Sequence, residues 1–538
     1  MYNSFITEDI EENFMSESQL HPPAIHFYPA GCYFKSLSDI KDKKIVVMGL
    51  GLNGGGEASV RFFLNHGAYV LATDMKSEAD LKTTVDSLNN DKSLDTSRLT
   101  YRLGEHRTED FENADCVIKN PGVKYDGNKF LAAAKNIETD ISLFLNFSKA
   151  PIIAVTGSKG KSSTVSAIYY GLKQSGFSAF LGGNITVSPL TFLEQTDETT
   201  PVVLELSSWQ LADLRGRKLL KPKVSIITKI IPDHQNFYHS MLAYVNDKKL
   251  IYADQTKKDF AIFDFDSDPA ADGGTLIDNW GDIFAKECKA TILRYSKKPL
   301  PEGTLGVWQD KKGNGIARLS TKILDTLPQD YEKTTETVLK DLIVPGKHMR
   351  ANVLNAALVL RIMGVTPARI IEVLGRWKGI EHRLEFFHEC KIGKTTYRFY
   401  NDSAATVPEA AAEATQAFGK PVIFLTGGTD KGLDLSPIAF GICDNGKNIV
   451  PESVYLLAGT ATDKMIPDFN AKKIAYKGPF NSVEEMLLAL KADLENAESS
   501  EKVQVVVFSP GATSFGMFKN EFDRGNQFKA CVKKVFAK

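Results

Sequence analysis

No two cysteines in this chain stand in a C-x-x-C spacing. The six, Cys32, Cys116, Cys288, Cys390, Cys443 and Cys531, are scattered, which suggests neither a zinc site nor a disulfide framework. Charge of one sign is also lacking. The formal net charge is -1, so there is no basic surface suited to nucleic acid, and nucleic acid is not expected as a partner. No apolar run approaches the roughly 18 residues of a membrane span. The N-terminus, MYNSFITEDIEENF, is acidic where a secretory leader is basic and then apolar. These absences predict a cytoplasmic protein with no membrane partner. Repeats and low-complexity tracts are missing too. What remains is an ordinary globular composition, 43% hydrophobic and 24% charged, over 538 residues. That length is too great for a single core and predicts three or more domains.

The pattern of elements predicts an α/β protein. Residues 1–35 read as a polar, mobile extension. A first α/β unit, 36–149, opens with KKIVVMGLGLNGGGEASVRFFLNHGAYVLATD, in which Gly49, Gly51 and Gly54 spell G-x-G-x-x-G and Asp74 ends the next strand. This spacing is that of a Rossmann unit. The glycine turn can cradle any diphosphate, and the acid can take a ribose or a base donor, so NAD is one reading among several. A second unit, 150–379, alternates strands (PVVLELSS, VSIITKI, DFAIFDFD) with helical segments, the pattern of a mostly parallel sheet. Within it, TLGVWQDKKGNGIARLS reads as a hairpin. A third unit, 380–538, carries the strands PVIFLTGG, SVYLLAG and VQVVVFSPG. Each ends in small or turn-forming residues, where open parallel sheets bind ligands.

The second unit begins with IIAVTGSKGKSSTVSAI, a strand, a glycine loop and a segment with an apolar face at helical spacing. The usual phosphate-binding loop, G-x-x-x-x-G-K-[ST], would put a glycine at 155, where Val155 stands. Here the glycines are Gly157 and Gly160, giving the shorter G-x-x-G-K-S, and the branched side chain at 155 implies that the strand runs further than in most such loops. The order strand, loop, helix predicts that Lys161 contacts ATP phosphates and Ser162 a magnesium ion, with Ser163 beside it. Further candidates lie at strand ends, Glu205 in LELSSWQL and Asp233 and His234 in IIPDHQNFY, and on an expected helix, Lys248 in YVNDKKL. Singly, each has a plain explanation as a surface acid, a helix cap, a turn residue or a solvated lysine.

Together they form an ordered series. GSKGKSS, GGNI, ELSSWQ, DH followed by YVNDK, GKHMRANVLNAA, EHRLE, NDSAAT, GGTDKGLD and SPGATSFGMFKN resemble the successive motifs of the Mur ligases, from about Ile45 to Phe528. The short phosphate loop is similar to the loop of that family. The resemblance implies three domains: a Rossmann-like one for a uridine nucleotide, a central ATPase domain, and a Rossmann-like C-terminal domain for ATP and an amino acid. It is strongest to the branch that joins D-glutamate to UDP-N-acetylmuramoyl-L-alanine at the expense of ATP, in peptidoglycan precursor synthesis. By residue it implies Lys161 on the ATP phosphates, Ser162 and Glu205 on magnesium, His234 near a second ion, and Lys248 as a carbamylated ligand. It places Asn352 on adenine, Arg383 on phosphate and Asp402 on the nucleotide. Gly51, Asn53, Asp74, Gly122 and Asn184 fall on the UDP-substrate loops, and Thr406, Lys431 and Ser514 on the D-glutamate carboxylates. Glu521 stands where an aromatic residue is common, so Phe522 is expected to line the amino-acid pocket while Glu521 points outward. Lys159, Met349 and Ala404 also depart from the family pattern.

Other readings explain less. A folylpolyglutamate synthase resembles the last two units alone, and a dehydrogenase leaves the ATP motifs unused. A nucleotide sensor has no need of Glu205, His234 and Lys248 together, and a Mur-type ligase adding a different amino acid is the alternative that stays open.

Overall fold

The computed structural model describes residues 22–185, 187–266, 269–272, 275–325, 334–498 and 502–537. The chain divides into two compact units. One holds the stretch up to Lys161 with Gly176–Ser296 and Leu300–Val307; the other holds Ser162–Ser175, Lys297–Pro299 and Trp308–Lys538.

In the first unit the apolar run IVVM forms β1 (Lys44–Met48), and the glycine turn after it feeds a helix, Gly55–Asn65, that buries Val60 and Phe63. β2 (Tyr69–Asp74), β3 (Leu99–Leu103), β4 (Cys116–Lys119) and β5 (Ile137–Glu138) complete a sheet in the order β3-β2-β1-β4-β5. All its pairings are parallel. The order reverses between β1 and β4, so the loops after these two strands flank the crevice where such sheets bind ligands. The Rossmann-type reading of this region is therefore met.

The expected mobile extension over 1–35 needs correcting where it can be compared; residues 1–21 lie outside the described residues. Tyr28, Cys32 and Phe34 are buried. The Tyr28 amide donates to the Arg215 carbonyl at 2.9 Å and the Gly31 amide to the Arg217 carbonyl at 2.7 Å. The Tyr33 amide donates to Glu138 at 2.8 Å, and Glu138 is itself in a buried ion pair with Arg217 at 2.9 Å. Three spaced apolar side chains and a paired backbone make this segment a strap laid on the first unit.

The second sheet begins with β6 (Ile152–Thr156), in which Val155 is fully buried. The strand does run on past the position of the missing glycine. β7 (Phe180–Gly183), β8 (Val202–Glu205), β9 (Val224–Ile227) and β10 (Phe260–Asp264) follow, with a hairpin of β11 (Pro269–Asp272) and β12 (Thr275–Asn279), then β13 (Thr291–Ser296). The parallel strands lie in the order β13-β10-β9-β6-β8-β7. The carboxyl ends of β9, β6 and β8 are thus side by side.

In the second unit the expected hairpin is present: β14 (Gly306–Gln309) and β15 (Gly315–Arg318) are joined by a turn in which the Asp310 amide donates to the Asn314 carbonyl at 2.9 Å. β15 pairs antiparallel with β16 (Thr335–Leu339). A further sheet is built from β17 (Glu385–Ile392), β18 (Thr395–Asn401), β19 (Ile423–Gly427), β20 (Ser453–Leu457), β21 (Lys477–Phe480) and β22 (Val503–Phe508), in the order β17-β18-β22-β19-β20-β21. Only the β17–β18 pair is antiparallel. The α/β class and a sheet for each expected domain agree with the sequence. Among the described residues no helix is long and apolar enough to cross a membrane.

Candidate active site

The phosphate loop leaves β6 at Thr156 and turns at Gly157, whose φ of +141° is open to glycine and costly for other residues. A Cβ here would lie 2.0 Å from the Thr228 hydroxyl oxygen, so the shifted glycine is demanded by the close approach of the chain after β9. The Ser158 amide donates to the Lys229 carbonyl at 2.9 Å and its hydroxyl to the Ile231 carbonyl at 2.8 Å. The loop is therefore fixed by its neighbours before any ligand binds.

Lys161 opens the helix Lys161–Gln174, with Ser162 and Ser163 in its first turn. Its ammonium turns back onto the loop and donates to the carbonyls of Gly157 at 2.9 Å and Ser158 at 3.0 Å. Lys248 comes from the helix Met241–Lys249, is 2% exposed, and donates to that same Gly157 carbonyl at 2.9 Å. Burial holds the Lys248 ammonium down to about 7, helped by the Lys161 charge and opposed by Asp233, Asp247 and Glu205. Burial likewise lowers Lys161, against the pull of Glu205 and Asp233. Two ammonium groups thus share one neutral acceptor in a place that disfavours their charge.

Glu205 ends β8 and is buried, with the Asn184 side-chain amide 3.3 Å from its carboxylate and the Asn184 backbone amide donating to its carbonyl at 2.8 Å. The structure brings Glu205, Asn184 and Lys161 to the ends of adjacent strands, and the helix Met241–Lys249 delivers Lys248 to the same loop. His234 stands at a left-handed backbone position, φ +54°, heading the short helix Gln235–Tyr238, and its ring lies 4.9 Å from that of Trp209. Its side chain is 44% exposed. Among the described residues no three His, Cys, Asp or Glu side chains gather as a metal cluster. A magnesium ion here would need the hard oxygen of Glu205 together with serine hydroxyls, phosphate oxygens and water, a set that suits it. As an ammonium, Lys248 could not join that set.

At the crevice of the first sheet, Asp74 is turned inward. One carboxylate oxygen accepts from the Gly51 amide at 2.9 Å and the other from the Lys76 amide at 3.0 Å. Asp74 therefore shapes the glycine turn, and Asn53 stands exposed on it. On the facing loop the Gly122 amide donates to Asn120 at 3.1 Å.

In the second unit the loops after β18, β22 and β19 converge. Gly511 donates to the Ala405 carbonyl at 3.0 Å, and Thr513 to the Thr429 carbonyl at 3.0 Å. Lys431 reaches the Thr406 hydroxyl at 3.4 Å, and Ser514 is buried beside the Thr429–Thr513 bridge. These three expected residues thus stand on stitched loops. Asp402 is different from expectation in one respect: its carboxylate already accepts from the Leu384 amide at 3.0 Å and the Ser509 hydroxyl at 2.6 Å. Burial pushes its carboxyl up to about 7 in spite of those bonds and the Arg383 charge. Arg383 is exposed, and Asn352 is half-buried on the helix Lys347–Ile362. Phe522 is 53% exposed with its ring 5.5 Å from that of His382.

Two contributors were not singled out from sequence. Tyr244 precedes Lys248 by one helical turn, and its hydroxyl donates to that of Ser158 at 3.1 Å while its ring lies under the Lys248 ammonium. The i, i+4 spacing was the available signal. Arg524 is 1% exposed and donates to the Ser403 hydroxyl at 3.0 Å and to the carbonyls of Ser403 at 2.8 Å and Ala512 at 2.9 Å. An arginine near the chain end carries no such signal by itself.

Residues 155–299 match the model described as the Mur ligase middle domain, and residues 43–141 the one described as Mur ligase MurD-like, N-terminal domain. The UDP-N-acetylmuramoylalanine–D-glutamate ligase of Treponema pallidum is 38% identical, over 92% of this chain and 98% of that protein. The enzymes of the same name from Borreliella afzelii, at 37%, and Acetivibrio thermocellus, at 32%, are covered over 99% and 98% of their lengths and match 92% and 93% of this chain. At that identity, over nearly the full length of each relative, the chain belongs to the UDP-N-acetylmuramoylalanine–D-glutamate ligases of the Mur ligase family.

Proposed function

We propose that this chain joins D-glutamate to the L-alanyl carboxylate of UDP-N-acetylmuramoyl-L-alanine, with ATP cleaved to ADP and phosphate. The observation that carries the reading is the meeting of Lys161 and Lys248 on the Gly157 carbonyl. Two ammonium groups held on a neutral carbonyl at the mouth of a phosphate loop are prepared for phosphate oxygens.

A carboxylate cannot be displaced by an amine directly, because the leaving group would be oxide. Transfer of the terminal phosphoryl group of ATP to the alanyl carboxylate forms an acyl phosphate and ADP. The neutral amine of D-glutamate then attacks the acyl carbon, the C–O bond to phosphate breaks, and the amine proton is lost. Such transfer relies on positioning and charge neutralisation rather than on a protein nucleophile. Lys161 binds the phosphates, with Gly157, Gly160 and Ser163 shaping the loop. Lys248 as a neutral amine adds CO2 and sheds a proton, becoming a carbamate; this removes one of two repelling cations and supplies a carboxylate. Glu205, Ser162 and that carbamate would hold Mg2+, with His234 near a second ion; when bound, Mg2+ neutralises phosphate charge.

The remaining assignments belong to this reading. Gly51, Asn53, Asp74, Gly122 and Asn184 serve the UDP substrate within a domain of residues 36–149. Asn352, Arg383 and Asp402 serve the nucleotide, Asp402 by holding the chain at Leu384. Thr406, Lys431 and Ser514, with Phe522, serve D-glutamate within a domain of residues 380–538, and residues 150–379 form the ATPase domain. The cytoplasm, where ATP is available, is the compartment.

The test is phosphate release from ATP with UDP-N-acetylmuramoyl-L-alanine and a panel of amino acids. Release is expected to require both substrates and to be fastest with D-glutamate. A faster rate with L-glutamate or a neutral amino acid overturns the D-glutamate assignment, and release needing neither substrate overturns the ligase reading.

A further inference from the structure

Within the first unit, a cavity of about 350 Å3 lies under the N-terminal strap; none of the residues assigned above lines it, although Pro121 and Val123 on its wall flank Gly122 and the Trp209 ring is 4.9 Å from that of His234. Its volume falls in the range of small-molecule sites, about 300–1,000 Å3. The walls are aromatic: Tyr28, Tyr125, Trp209, Phe237 and Tyr238, with His26 stacked on Tyr125 at 3.6 Å.

The charged groups on the walls are mostly spoken for. Lys119 is paired with Asp213 at 2.8 Å and Arg215 with Asp247, while Asp126 is exposed and accepts from the Ala24 amide. Two donors remain. The Lys124 ammonium lies over the Trp209 ring, 2.6 Å from its centroid, and both the Lys124 Nζ and the Trp209 Nε1 are buried atoms with no hydrogen-bond partner among the described residues. Burial, with the Lys119 charge adding and Asp213 opposing, holds this ammonium down to about 7, which agrees with a cation that lacks its anion.

Two neighbouring donors and a single unpaired positive charge, in an aromatic chamber, call for a flat ligand with two acceptor oxygens and one negative charge. We propose that this cavity binds a small aromatic or alicyclic monocarboxylate, its carboxylate held by the Lys124 ammonium and the Trp209 indole N–H. A phosphate monoester is disfavoured, because its second charge would meet Asp213 and Asp247 with no further unpaired ammonium or guanidinium among the described wall residues.

The probe is 1-naphthoate, titrated calorimetrically into the full chain beside neutral 1-naphthamide. One saturable site per chain is expected for naphthoate, with naphthamide at least tenfold weaker. Lys124→Met is expected to weaken naphthoate tenfold or more and to leave naphthamide within twofold. Ala243→Phe, which fills the chamber from its wall, is expected to abolish both. UDP is expected not to compete. Absence of saturable binding, equal affinity for the two probes, or displacement by UDP overturns the proposal; so does full binding by Ala243→Phe. Should Lys124→Met fail to fold, the naphthoate–naphthamide difference in the unaltered chain and the Ala243→Phe result decide the matter.

Discussion

A lysine buried to 2% exposure with an ammonium held near 7 is poorly suited to a role in packing, because removing its charge from water is expensive. Its position becomes intelligible if the charged form is not the working one. Lys248→Ala is accordingly expected to lower kcat by about a hundred- to a thousand-fold, the scale of losing one preorganised electrostatic group. Formate or acetate in the assay is expected to restore part of the rate by standing in for the carbamate. Lys249→Ala supplies the contrast, since it breaks only a partly exposed ion pair with Glu287, an interaction worth about 0–1 kcal/mol, and is expected to be near wild type. Failure of carboxylates to rescue Lys248→Ala, or the same defect in Lys249→Ala, would remove the carbamate from the mechanism. Lys161→Ala, in turn, is expected to abolish ligation with the unfolding midpoint little changed, because among the described residues its ammonium bonds only to two loop carbonyls. Near-normal turnover in that variant would dismiss the phosphate-loop assignment.

At the scale of elements, the loops at strand ends were legible where short-range signals mark them. Val155 in place of glycine announced that β6 continues, and a run of buried apolar residues bears this out. Glu205, Asn184 and Lys161 converge because parallel strands deliver their carboxyl ends to one side. The parts that sequence did not reveal depend on distant partners. β7 is only FLGG, too short and glycine-rich to read as a strand without β8 beside it. The Gly157 carbonyl receives a lysine 91 residues away, and Asp402 is satisfied by residues 18 and 107 positions off. Arg524 is the clearest such case. From the helix Glu521–Val535 it ties the loop after β18 at Ser403 to the loop after β22 at Ala512, and those loops carry Thr406 and Ser514. As a positioning residue it should act on the amino acid and not on ATP. Arg524→Ala leaves buried carbonyls unsatisfied at about 1–3 kcal/mol each, so the D-glutamate KM is expected to rise tenfold or more while the ATP KM moves less than threefold. Parallel losses in both KM values, with a lowered unfolding midpoint, would mark Arg524 as merely structural.

At the scale of the whole molecule, the two ends of the chain differ in how far their cores are their own. The sheet β17–β22 has apolar clusters on both faces made almost wholly from residues after 383, one around Phe424, Ile438 and Leu456 and one around Leu425, Leu490 and Phe528. Outside that stretch the first cluster takes Ile343, and the Tyr400 hydroxyl donates to the Ile343 carbonyl. The β1–β5 sheet is less independent. One face has a small cluster around Val46, Phe111 and Leu131, while the other merges into a core that runs from Phe34 and Phe63 through Phe144 and Ile152 to Leu204, Tyr244 and Phe284. Cutting the chain near Lys149 would open that shared core, and at about 25 cal/mol per Å2 of apolar surface even a few hundred Å2 exposed would consume much of the 5–15 kcal/mol that stabilises a domain. A fragment of residues 380–538 is therefore expected to unfold cooperatively in urea as measured by circular dichroism, whereas residues 36–149 alone are expected to unfold broadly or aggregate. The strap extends the same argument: Tyr28→Ala removes a buried ring and the bond its hydroxyl donates to Asp213, and is expected to cost the intact chain about 3–5 kcal/mol. A cooperative, soluble 36–149 fragment, together with a silent Tyr28→Ala, would show that the first sheet does not lean on the shared core, and the contrast drawn from the packing would fail.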